Sequence, residues 1–139
     1  LVGWLVARYG EQKTLVFEYV GLIVIFTAYA FVPTVEWAIA LYIIDHFFFS
    51  FYVALKTYFQ KIADPADIAG SAGMAFTINH IAAVFLPVGL GFVWIYSNAA
   101  VFLIGAGIAA CSLVFAALIP NTPKPGAETR LYNFSVGKA

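Results

Sequence analysis

The 139 residues are 63% hydrophobic and 18% aromatic, and only 10% are charged, with seven basic side chains balanced by seven acidic ones. A soluble domain carries about 25% charged and roughly 45–50% apolar residues, so this chain lacks the polar surface to face water on every side and suits a bilayer instead. Neutrality excludes a basic nucleic-acid-binding face. The single Cys111, set in an apolar run, excludes a disulfide framework and a paired-thiolate metal site.

The stretch 1–7 is apolar and reads as the last turns of a helix, so the simplest expectation is a C-terminal piece of a longer polypeptide. It shows no basic region followed by a cleavage site of the secretory type. The polar turn from Arg8 to Lys13 leads into a first spanning candidate at 14–31, apolar except for Glu18 and Thr27. Glu18 is expected to reach the interface or pair with Lys13.

Pro33 and Thr34 break the chain, since proline disfavours helix in the residue before it and suits the first turn of the next one. A second span follows at 35–58, with Glu36 at its start and Asp45 and His46 near its middle. The polar loop 59–67 contains Asp64-Pro65, and Asp64 or Asp67 is expected to cap the next helix.

The third span is 68–96. A helix of about 29 residues at roughly 1.5 Å each is ~43 Å long and crosses a hydrocarbon core of about 30 Å with turns to spare. His80 then lies near the midplane. Ser97 and Asn98 turn the chain into a fourth span at 98–119, which carries no charge. Its pairs Gly105 with Ala109, Ala106 with Ala110 and Gly107 with Cys111 suit close helix packing, a structural role. The segment 120–139 has the Pro, Gly and charge content of a solvated tail.

The basic residues alternate between the turns. Arg8 and Lys13 precede the first span, Lys56 and Lys61 lie where the second meets the third, and Lys124, Arg130 and Lys138 follow the fourth. The turns at Pro33 and Ser97 hold none. The positive-inside rule makes the charged side cytoplasmic, so both ends of the four-span piece are expected inside.

Ionisable groups at membrane depth are the first candidates for function. Helical spacing aligns Tyr42, Asp45, Phe49, Tyr52 and Lys56 on one face, with His46 beside them. Asp45 serves either proton transfer or a hydrogen bond to a neighbouring helix. In the third span Gly73, Thr77, His80, Val84 and Pro87 share a face, whereas Asn79 begins another with Ala83 and Leu86. His80 is able to relay protons near neutral pH, or it bonds an adjacent helix, a contact worth ~0.6 kcal/mol in membranes. Pro87 is expected to kink its helix, with Gly89 and Gly91 easing the bend.

Gly3-Trp4-Leu5-Val6-Ala7-Arg8-Tyr9-Gly10-Glu11-Gln12-Lys13 resembles the cytoplasmic loop motif of the major facilitator superfamily of secondary transporters, Gly-x-x-x-Asp-Arg/Lys-x-Gly-x-Arg/Lys with further basic residues. Gly3, Arg8 and Gly10 fit, Lys13 supplies a trailing base, and Ala7 stands at the Asp position. The stretch from Thr57 to His80 and the Pro-x-Pro-Gly run at Pro123, Pro125 and Gly126 also look like bacterial members.

The resemblance implies that 1–7 ends helix eight and that the four spans are helices nine to twelve of a twelve-helix bundle, in an inner (plasma) membrane. It implies transport of a small solute by alternating access between two rocking halves. Asp45 and His46 would border the central cavity, and Gly3, Arg8, Gly10 and Lys13 would form a gating loop. The expected partners are the bilayer, the remaining N-terminal helices and a small-molecule substrate.

The residues leave two other classes open: a non-transporting membrane scaffold or partner subunit, and an intramembrane metalloenzyme using Asp45, His46 and His80. Those three match no recognised metal-ligand spacing, and the chain has no phosphate-binding loop or nucleophile elbow. No cofactor and no enzymatic activity are therefore expected. The fold class expected throughout is an all-α membrane protein.

Overall fold

A computed structural model describes residues 2–121, 123, 129 and 130. The expected tail at 120–139 and the Pro-x-Pro-Gly run lie mostly outside the described residues. All regular structure among the described residues is helical: α1 (Val2–Tyr9), α2 (Glu11–Ala30), α3 (Val35–Phe49), α4 (Tyr52–Ile62), α5 (Ile68–Tyr96) and α6 (Asn98–Ala117). α2, α5, α6 and the α3–α4 pair taken together are long and apolar enough to cross a membrane.

Only Gly10 separates α1 from α2. Its φ of 84° lies in the left-handed region that glycine enters without steric cost, so the chain turns there and restarts as helix at once. The Gly10 carbonyl then accepts from Thr14 N and from Thr14 Oγ1 at 2.8 Å. This anchors the first turn of α2 and sets its start at Glu11 rather than Thr14.

α2 and α6 are antiparallel and form the best-packed pair. At one end Gln12 Nε2 donates to Ala117 O at 3.1 Å. Toward the other end the Phe26 ring lies 3.5 Å from where a Cβ on Gly105 would stand, and Tyr29 stacks on Phe102 with centroids 4.8 Å apart. Small side chains make the approach possible: Ala106, Ala109 and Ala116 are all buried. The core holds Val6, Leu15, Ala54, Ala116 and Ile119, so α1 and α4 complete it near the end where α2 begins.

The second span is two helices rather than one. At Ser50 and Phe51 the ladder tightens, with Ser50 N bonding Phe47 O and Phe51 N bonding Phe48 O. Ser50 Oγ turns back to His46 O at 3.5 Å, a type of bond that bends helices. Phe51, only 1% exposed, sits at this break among the rings of Phe17, Phe47 and Phe48. The aromatic run, innocuous as composition, decides the local geometry.

α5 follows an Asx turn in which Asp64 Oδ1 accepts from Ala66 N at 2.9 Å. Asp67 occupies the N-cap position, yet no side chain caps the helix, so neither aspartate does what its spacing suggested. α5 runs through Pro87 without interruption, although the missing N–H of proline leaves one carbonyl a turn earlier without its helical donor. It packs mainly against α6, where Trp94 meets Phe102 edge-on, and has no buried residue. Ser97 caps α6 by accepting from Ala100 N at 3.2 Å.

Candidate functional site

The described basic residues gather at one end of the bundle. Lys61, in the last turn of α4, pairs with Glu11 at the start of α2 at 2.6 Å. Arg130 Nη2 donates to Gln12 Oε1 at 2.9 Å and to Asn121 Oδ1 at 3.1 Å, while its backbone N donates to Leu118 O. Arg130 is thereby fastened to Asn121 and to the opening turn of α2. A cleft of about 490 Å³ lies beside these contacts, lined by Gly3, Val6, Gly10, Glu11, Lys61 and Asn121 among others.

The four motif residues take different places here. Gly10 makes the α1–α2 turn, and the Arg8 guanidinium lies 5.0 Å over the Trp4 ring and 5.7 Å from that of Tyr9. Lys13 is exposed, and Gly3 has open space where a side chain would be. The acid that reaches this end is Glu11.

The mid-span candidates are distributed over separate helices. On α3, Asp45 is half-buried, and the rings of Tyr42 and His46 lie 4.2 Å apart. His46 Nδ1 is 3.2 Å from the Tyr42 carbonyl of its own helix. On α4, Lys56 lies 5.3 Å over the Tyr52 ring. The predicted face from Tyr42 to Lys56 is therefore divided between two helices, α3 and α4, by the break at Ser50 and Phe51.

On α5, Thr77 Oγ1 donates to Gly73 O at 3.0 Å, and His80 Nδ1 is 2.9 Å from Phe76 O with the two rings 3.9 Å apart. Both therefore fall back on their own helix. Thr77, Asn79 and His80 are all exposed. A cleft of about 500 Å³ between α4 and α5 is lined by Tyr52, Lys56, Tyr58, Ser71, Phe76 and Asn79 among others, so it joins two of the predicted residues from different helices. Asp45, His46 and His80 belong to no common metal-binding group, and no group of three or more His, Cys, Asp or Glu that would hold a metal occurs among the described residues.

Glu18 departs most from expectation. Its side chain is only 7% exposed, and Oε2 has no hydrogen-bond partner among the described residues. The cause is register. Five residues separate Glu18 from Lys13, which puts them about 140° apart around the helix, while spacing of seven puts Glu11, Glu18 and Ile25 on one buried stripe. That spacing was the available signal for both buried acids. The Lys61 and Arg130 contacts join residues far apart in sequence and left no local signal.

Comparison with protein-family models, curated proteins and solved structures finds no match.

Proposed function

We propose that this chain is the C-terminal part of a secondary transporter of the major facilitator type, carrying a small solute across a membrane by alternating access. The observation that supports the reading best is the unequal covering of the helices. α2 and α6 are packed together, whereas the polar mid-span side chains Tyr42, His46, Thr77, Asn79 and His80 are exposed on α3 and α5. Hydrocarbon does not solvate such groups, so they belong against protein or a watered cavity. The remaining helices of the transporter, on the same chain or a partner chain, supply that cover and the other wall of the solute site.

In this reading the end bearing Arg8, Lys13, Lys61 and Arg130 faces the cytoplasm. Asp45 lies on the cavity side and exchanges protons during transport, with His46 and Tyr42 beside it. The α4–α5 cleft contributes Asn79 and Tyr52 to the solute path, and His80 and Thr77 line the junction with the other half.

The test begins with the native polypeptide, detected by an antibody to the 120–139 segment. A product several times longer than this chain supports the reading. A product of this size overturns the single-chain transporter and leaves a subunit or scaffold, to be sought by what co-purifies. In the long form, Asp45→Asn is expected to abolish the pH dependence of uptake while leaving the amount of folded protein in the membrane unchanged. Unaltered pH-dependent uptake in that variant removes Asp45 from the proton path.

A further inference from the structure

The packed side of the molecule contains an acid that the preceding reading does not use. Glu18 is buried on α2, two turns from Glu11 and near buried Leu15 on the same helix, and α2 packs chiefly on α6 and also on α3 and α4. Its burial depends on helices already in contact, so further helices around α3 and α5 do not alter it.

The charged and titratable groups on α2 and on the elements packed against it give Glu18 Oε2 no partner. On α4, Lys61 is taken by Glu11, Lys56 lies over Tyr52, and Tyr58 packs on the core. On α6, Cys111 is exposed. On α3, His46 is bonded to its own helix, and Asp45 and Glu36 are acids that offer Glu18 no counter-charge. On α1, Arg8 is held over Trp4 and Tyr9. On α2 itself Lys13 faces another way, and Tyr19 packs against the core. None of these supplies Glu18 Oε2 with a partner.

An ionised carboxylate with an oxygen sealed from water and unpaired is among the costliest arrangements in a protein interior, and such a group neutralises instead. Neutralisation by a metal ion would need further ligands, and no suitable group of His, Cys, Asp or Glu occurs among the described residues. A proton needs only the carboxylate.

We propose that Glu18 is a proton-binding site, holding its proton while α2, α4 and α6 are packed as seen and releasing it to water when that packing opens. On release the O–H bond breaks, its electron pair stays on the carboxylate, and the proton passes to solvent. The reverse step accompanies closure. Because the packed state offers the ionised carboxylate no partner, proton concentration biases the packing by linkage. Use of that bias to drive transport rests on the transporter reading, whereas protonation itself does not.

The test is the infrared spectrum of the purified chain in lipid near neutral pH. The expected result is a carboxylic-acid carbonyl band that is lost in Glu18→Gln, shifted in Glu18→Asp and retained in Asp45→Asn. Absence of the band from the unmodified protein overturns the proposal. So does a band that is unmoved in Glu18→Asp, and this second variant decides the matter should Glu18→Gln fail to fold. The two readings fail separately. A Glu18 band in a protein without transport removes the transporter and keeps the site, whereas intact pH-driven uptake without the band does the reverse.

Discussion

The α2–α6 pair and α5 are built from nearly the same material, yet they meet opposite fates. Both are long and apolar, and both contain glycine and alanine at helical spacing. α2 and α6 bury alanines against each other and lock both ends, with Gln12 on Ala117 and Tyr29 on Phe102. α5 touches the rest mainly through α6, and Gly70, Gly73, Gly89 and Gly91 have no neighbouring atom where a side chain would begin. Hydropathy therefore does not decide which membrane helix is packed. Small residues placed opposite large rings, and hydrogen bonds at the helix ends, do.

The contrast is broken most severely by removing a partner from the packed side. Lys61→Met leaves Glu11, 2% exposed, without its cation. Losing one member of a buried ion pair costs roughly 3–5 kcal/mol. Because Lys61 is half exposed, the lower end, about 3 kcal/mol, is expected here. Denaturant titration in detergent, read by helical circular dichroism, checks this. The double variant Lys61→Met, Glu11→Gln should recover most of the loss, and failure to recover would mean that the loss does not come from leaving the Glu11 charge unpaired.

A glycine pair sharpens the same contrast at about half that size. A Cβ at Gly21 would run into the Phe48 ring, whereas one at Gly89 would meet nothing within 4 Å. Gly21→Ala is expected to destabilise by roughly 1–3 kcal/mol through overpacking. Gly89→Ala should be neutral or stabilise by up to ~1 kcal/mol, because alanine is the better helix former. Equal effects at the two positions would mean that α2 and α5 are packed alike.

How far the sequence could be read follows from the range of each interaction. The apolar lengths and the breaks at Pro33 and at Asp64-Pro65 are local, and four helices of membrane-crossing length follow from them. The break at Ser50 is less visible, and Phe51 beside it meets Phe17 on another helix, a contact that spacing within one helix does not encode. Glu18 was legible in principle, since spacing of seven from Glu11 and Ile25 puts it on the buried stripe. Its nearness in sequence to Lys13 suggested a partner that the helix turns away. The Glu11–Lys61 pair and the Arg130 clasp join residues 50 and 118 positions apart, a distance over which sequence spacing carries no information.

Arg130→Ala gives a smaller change. It removes two side-chain hydrogen bonds at an exposed position while the backbone bond to Leu118 O can persist. A loss of about 1 kcal/mol is expected from bonds that water can replace. Limited proteolysis gives the sharper readout, with cleavage after α6 expected to accelerate while the α2–α6 contact survives. Unchanged cleavage would mean that the Arg130 contacts do not protect the chain there.

His80→Leu should have the smallest effect on this chain alone and the most informative one. Among the described residues the side chain bonds the Phe76 carbonyl of its own helix, and it is exposed on α5. Its replacement in the chain as it stands is therefore expected to move stability by no more than about 0.5 kcal/mol, as for surface positions in general. The covering helices proposed above change this. Against them His80 gains an interhelical partner, and the same substitution in the longer polypeptide should cost more, by roughly the 0.6 kcal/mol typical of such bonds. Measuring the variant in both contexts isolates what the additional helices contribute at this depth. Equal small effects would mean that α5 faces lipid at His80, and the polar face of α5 would then no longer support a transporter core on that side.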